Sequence, residues 1–93
     1  MANKAHAATL RRLSERYNIP GGLPYDLMGS DLIIEVETAA TVADGIQKLL
    51  AAGGRRFVAM TNQESIADAL AVARATEIGV MSPRGDIVKE AGW

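Results

Sequence analysis

The sequence predicts one α/β domain built on a small mixed sheet. Three observations predict it. Helical and strand-like segments alternate in the order helix, hairpin, helix, strand, helix, strand. The run RRFVAMT, from Arg55 to Thr61, is nearly continuously apolar, as in a strand covered on both faces within a parallel sheet. The stretch PYDLMGSDLIIEVET, from Pro24 to Thr38, reads as two short strands meeting at a turn.

In chain order, His6, Leu10, Leu13 and Tyr17 fall on one stripe of a first helix over about Lys4 to Asn18, ended by Pro20-Gly21-Gly22. In the hairpin, Gly29-Ser30 suits a two-residue II′ turn, which pairs Met28 with Asp31, Leu27 with Leu32, Asp26 with Ile33 and Pro24 with Glu35. Alternation then places Asp31, Ile33, Glu35 and Glu37 on one face, and Leu32, Ile34 and Val36 on the other. Thr41 to Ala52 is a second helix with Val42, Ile46, Leu49 and Leu50 inward, Thr41 and Asp44 as a capping pair, and Gly53-Gly54 as the stop. After RRFVAMT, Thr61 to Glu64 repeats the capping pattern before a third helix that turns Ile66, Ala67, Leu70 and Ala71 inward and ends near Arg74. Glu77 to Met81 is a strand, Ser82 to Gly85 a turn, and Asp86 to Lys89 a last short strand. Parallel pairing through right-handed crossovers follows from the alternation.

With 93 residues, 48% hydrophobic and 23% charged, the chain is the size of one domain with one core. A core this small stabilises modestly, so a homodimer or membership of a larger complex is expected. Cysteine is absent and histidine occurs once, which excludes disulfides and sulfur- or histidine-rich metal sites. No apolar run approaches the roughly 20 residues that span a bilayer, and no signal peptide is evident, so a cytoplasmic location away from membranes is expected. A net charge of −1 gives no global attraction to nucleic acid, leaving local clusters: Arg11, Arg12 and Arg16, then Arg55 and Arg56. These are either solvated element ends or phosphate contacts.

The hairpin carries the chemistry. Asp26 stands diagonal to Glu35 in the predicted register, so Asp26, Glu35 and Glu37 converge on one side. Three carboxylates repel unless water screens them or a cation neutralises them. They therefore form either the wet face of a hairpin or a site for a hard cation such as Mg2+ or Mn2+, held by Asp26 and Glu35 with Glu37 acting on water. Asp31, next to the turn, reads as a solvated strand start.

Pro24-Tyr25-Asp26 on one strand and Glu35-Val36-Glu37 on the next resemble the motif of the PD-(D/E)xK nuclease superfamily, which includes restriction endonucleases and archaeal Holliday junction resolvases. One residue is inserted between proline and aspartate. The element order is also similar to that superfamily's core. The resemblance implies a restriction endonuclease-like fold and a magnesium- or manganese-dependent endonuclease acting on DNA, duplex or junction. Asp26, Glu35 and Glu37 would be catalytic, with Arg11, Arg12, Arg55 and Arg56 on the phosphate backbone. Glu37 stands where the family has lysine. Lys48, a candidate for a lysine moved to the following helix, points roughly opposite that helix's apolar face and so toward solvent, whereas Gln47 lies closer to the face. Resemblance to resolvases nominates Glu15, but it projects away from the Leu10, Leu13 and Tyr17 stripe and is left out.

Other features have two readings each. His6 is a packed residue near the surface or a phosphate contact. Tyr17 and Tyr25 pack or stack on bases, and Trp93 is a frayed end or a dimer contact. Gly53-Gly54-Arg55-Arg56 follows a helix and precedes a strand, the reverse of a phosphate loop. The alternatives to a nuclease are an inactive nuclease-like subunit or interaction module, and a plain α/β domain with a hydrated hairpin.

Overall fold

The computed structural model describes residues 4–22 and 24–92. Trp93 lies outside them. The described residues form helix α1 (Lys4–Tyr17), strands β1 (Gly21–Gly22), β2 (Tyr25–Met28) and β3 (Ile33–Glu37), helix α2 (Val42–Leu50), strand β4 (Arg56–Met60), helix α3 (Ile66–Ala73), and strands β5 (Gly79–Met81) and β6 (Ile87–Lys89). The strands make one mixed sheet in chain order. β3, β4 and β5 run parallel, with an antiparallel neighbour on each flank. The α/β class, the hairpin and the parallel centre thus match the sequence reading, and β1 is an added edge where only a helix stop was expected. No described helix is long and apolar enough to cross a membrane.

Alternation along the central strands divides the core in two. Ile33, Val58, Met60 and Val80 face α2 and α3, meeting Val42, Ile46, Leu49, Ala69 and Ala73. Ile34, Val36, Phe57, Ala59 and Met81 face α1, meeting Leu13 with Leu10 and Tyr17 at its margin. Every residue of β4 is buried, as RRFVAMT predicts. α3 differs from the expectation in part. Ile66 and Leu70 pack against the core as expected, but Ala69 and Ala73 are buried there in place of Ala67 and Ala71, which are exposed. Small side chains at 69 and 73 let that helix sit close, so the inward stripe is Ile66, Ala69, Leu70 and Ala73.

Of the two expected helix caps, Thr41 holds its position without a side-chain cap bond and Thr61 is replaced. Asn62, not Thr61, accepts the Ser65 N–H at 2.9 Å and starts the 3-10 turn (Gln63–Ser65) leading into α3. Thr41 precedes α2 but makes no side-chain cap, because its hydroxyl accepts the Thr38 N–H at 2.9 Å. Gly54, at φ 86°, turns the chain between α2 and β4 as the glycine pair predicts.

Helix α1 is fastened at its C-terminal half. Arg12 and Arg16 donate to the Pro83 and Arg84 carbonyls, both at 2.7 Å, and Tyr17 Oη donates to the Gly85 carbonyl at 2.5 Å. Gly85, at φ 88°, lies so close that a Cβ there would stand 2.6 Å from Leu13 Cδ2. Fixing this half of α1 to the Ser82–Gly85 turn sets where its other end, with His6, reaches the sheet.

Candidate metal centre

The hairpin differs from its predicted register by two residues. Met28 pairs with Ile33 and Leu27 with Ile34, so Gly29 to Leu32 form a four-residue loop closed by the Gly29 N–H on the Leu32 carbonyl at 2.8 Å. Gly29 does not take the positive φ that a II′ turn requires. Its glycine answers a packing need instead, since a Cβ would lie 2.7 Å from Ile19 Cγ2. A slip of two residues preserves the faces, where a slip of one would invert them. Continuing the pairing sets Asp26 opposite Glu35 rather than diagonal to it.

A second irregularity aims Asp26. Gly21 pairs with Leu27 but Gly22 with Tyr25, so the register shifts at Asp26 and leaves it unmatched on β1. Such bulges redirect side chains. Here Tyr25 packs toward the α2 layer while Leu27 enters the α1 layer. Asp26 Oδ2 accepts the Val36 N–H at 2.8 Å, and Glu35 Oε1 accepts the Asp26 N–H at 2.8 Å. These crossed bonds replace ladder bonds with carboxylate ones and fix both side chains.

One oxygen from each of Asp26, Glu35 and Glu37 lies within 4.8 Å of the others. The three form a cluster that can hold a metal ion, and hard oxygen donors of this kind suit a divalent cation. The face they occupy is not a wet hairpin surface. Glu35 is only 5% exposed, and Glu37 is half-buried against α2. Gly45 makes room for it, because a Cβ there would stand 2.5 Å from Glu37 Oε2.

Burial raises the proton affinity of Glu37, and the negative charges of Glu35 and Asp26 raise it further. The Thr41 hydroxyl opposes them, and the group ends at about 7. Glu35 is also raised, chiefly by burial, against the Asp26 N–H and the Lys48 charge. For a carboxyl whose folded pKa lies above its unfolded value of 4.5, the native state binds the extra proton. Stability is then full below pH 4.5 and declines as pH rises toward 7. The metal-free protein is therefore expected to lose about 1–2 kcal/mol between pH 5 and 8, an amount discounted for the partial exposure of Glu37. Glu90, lowered by its Arg55 bond, titrates below that window. Thermal unfolding in a chelator across this range measures the slope, and a rising Tm would contradict the assignment.

Gly45→Ala tests the Glu37 seat. Alanine ordinarily gains about 1 kcal/mol over glycine inside a helix. Here the clash is expected to reverse the sign, for a net loss of about 1 kcal/mol. It should also flatten the pH slope as Glu37 is pushed into water. Denaturant titration at pH 5 and 8 reads both effects.

Two basic residues complete the site. Lys48 Nζ lies 3.7 Å from Glu35 Oε2 and 5.4 Å from the centroid of the Tyr25 ring. Lys48 is exposed, as expected, but its ammonium also reaches Glu35. A long flexible side chain on the outer side of a helix can carry its charge back over a neighbouring ring, here that of Tyr25. Gln47 is also exposed. His6 Nε2 lies 3.4 Å from Asp26 Oδ2. α1 thus meets the carboxylates through His6, while Glu15 is exposed. Helical geometry alone signalled neither contact, since both depend on how the helices are laid on the sheet.

The arginines are placed differently from one another. Arg11 and Arg12 are exposed on α1. Arg55 makes a two-pronged pair with Glu90 at 3.1 and 3.0 Å and lies over the Phe57 ring. Arg56 is 3% exposed, with its guanidinium bonded to the Leu49, Ala52 and Gly54 carbonyls and to Glu77. It caps the C-terminal end of α2 and is neither a solvated strand end nor positioned to meet a phosphate. No protein-family model, curated protein or solved structure matches the chain.

Proposed function

We propose that the protein is a metal-dependent phosphodiester hydrolase of the PD-(D/E)xK type, acting on DNA. The observation that carries this reading is the meeting of Asp26, Glu35 and Glu37 oxygens within 4.8 Å, on the two hairpin strands that bear the motif. Lys48 beside Glu35 adds to it, because the cation missing from position 37 is supplied from α2.

Asp26 and Glu35 would hold Mg2+ or Mn2+. When bound, the cation supplies Lewis acidity toward a phosphate ester. Glu37, with a proton affinity near neutral, would take a proton from the attacking water as that oxygen bonds to phosphorus; the P–O ester bond breaks and the departing oxygen takes its proton from solvent. Lys48 Nζ offers positive charge to the phosphoryl oxygens as negative charge accumulates there. His6 steadies the Asp26 carboxylate from α1. Arg11 and Arg12 flank the same helix as candidates for backbone phosphates, with a salt-dependent affinity. Exposed Ile87 and Val88 on the edge strand β6 support pairing with a second copy.

One observation favours a second reading, an inactive nuclease-like module. The crossed bonds of Asp26 and Glu35 already satisfy the hairpin without an ion. Incubation of supercoiled and single-stranded DNA with Mg2+ or Mn2+, beside calorimetric titration of each metal, separates the two. Metal binding and cleavage are expected; no heat and no cleavage at millimolar metal would leave the module.

A further inference from the structure

A hollow of about 280 Å3 lies at the loop end of the hairpin, linked to the carboxylates only through neighbouring side chains, and is not used by the chemistry above. It opens where the hairpin loop faces the end of α2, and its lining includes Tyr25, Met28, Asp31, Ile33, Gly53 and Arg55. Tyr25 joins it to the site, since the same ring lies under Lys48, which contacts Glu35. Ile33 joins it as well, two residues before Glu35 on β3 and on the same face, a distance of about 7 Å along a strand.

The chemistry of the hollow selects an occupant. Its volume sits just under the roughly 300–1,000 Å3 of small-molecule sites, enough for one heterocycle with its sugar and too little for a duplex. Tyr25, Ile33 and the exposed thioether of Met28 give it aromatic and apolar walls suited to a planar ring. A phosphate is disfavoured, because the Arg55 charge is met by Glu90 and Asp31 adds a negative charge to the same lining. Asp31 supplies a carboxylate at the rim, an acceptor matched to an exocyclic amino group such as that of cytosine. We infer that this hollow receives an unstacked nucleobase of a single strand, a cytosine in preference to a thymine, adjacent to the phosphate held at the carboxylates. The inference rests on the function proposed above and names its substrate as single-stranded or locally opened DNA.

Gly53 offers a clean test. It lines the hollow, is not among the positive-φ glycines, and a Cβ there meets nothing within 4 Å, so Gly53→Leu adds bulk at the hollow's edge without a clash. Fluorescence anisotropy with labelled cytosine and thymine oligonucleotides, and with an oligonucleotide carrying an abasic run, is read on the full chain with and without Mn2+. Gly53→Leu is expected to weaken binding of the cytosine strand at least tenfold while unfolding temperature and Mn2+ binding stay unchanged. The abasic strand should bind tenfold more weakly than the intact one and be indifferent to Gly53→Leu, and Asp31→Asn should remove the preference for cytosine. Equal binding of abasic and intact strands, or full binding by Gly53→Leu, overturns the inference even if Mn2+ binds. Absence of Mn2+ binding with the base preference intact would instead overturn the metal chemistry and leave the base seat standing.

Discussion

Asp26→Asn is expected to abolish Mn2+ binding and metal-dependent cleavage while the protein stays folded. Asparagine keeps a carbonyl oxygen where Asp26 Oδ2 accepts the Val36 N–H, so the bond that holds β2 to β3 survives. What disappears is one negative charge among three carboxylates that approach within 4.8 Å. Groups that merely orient metal ligands cost about 10–100-fold when removed, so loss of a ligand should exceed about 100-fold in affinity or rate. The same change relieves Glu37 of a like charge, so its carboxyl should titrate lower than about 7. Glu35→Gln should act similarly and also deprive Lys48 of its counterion. Alanine is the poorer probe at either position. It would delete the acceptors that cross-link the hairpin and confound lost chemistry with lost structure. Calorimetry with Mn2+, a cleavage assay and a Tm for each variant make the measurement; cleavage at the wild-type rate by Asp26→Asn would remove Asp26 from the site.

Arg56→Met carries the largest expected loss of stability. The Arg56 side chain is 4% exposed and donates to the carbonyls of Leu49 and Ala52 at the end of α2 and of Gly54 beyond it. The Leu49 carbonyl also accepts the Ala52 N–H at 3.0 Å, whereas the Ala52 and Gly54 carbonyls lie past the last turn of the helix. Methionine fills the volume but supplies no donor, and a hydrogen bond from a charged group is worth about 1.5–3 kcal/mol. The Glu77 pair adds little, because that carboxylate is 44% exposed. A total loss of about 3–4 kcal/mol is expected, with a Tm lower by more than about 10 °C for a domain of this size. Arg56→Lys should recover less than half, since one ammonium cannot span three carbonyls and a carboxylate. Urea titration checks both variants, and a cost below about 1 kcal/mol for methionine would show that water replaces the guanidinium. The contrast with Arg55 is instructive. The two arginines are adjacent in sequence, yet one holds a helix end from within and the other lies on the surface.

Periodicity by itself determined the α/β class, the helices, the buried central strand and the face on which the hairpin carboxylates lie. Each of these follows from a local repeat of 3.6 or 2 residues, and the faces persisted through a two-residue error of register because the strand repeat is 2. Tertiary structure alone decided the rest. The loop, Gly29 to Leu32, packs Ile19 where a Cβ of Gly29 would stand, a contact between segments that no turn preference encodes. The bulge that aims Asp26 depends on β1, which the sequence marks only as a helix stop. His6 and Lys48 reach the carboxylates because α1 and α2 are laid on opposite faces of the sheet at particular heights, and long or flexible side chains then act where their backbones do not point. Acidic residues on neighbouring strands are legible as a pattern, but the nitrogen-bearing side chains and the glycine that complete their surroundings come from other segments, and only packing brings them there.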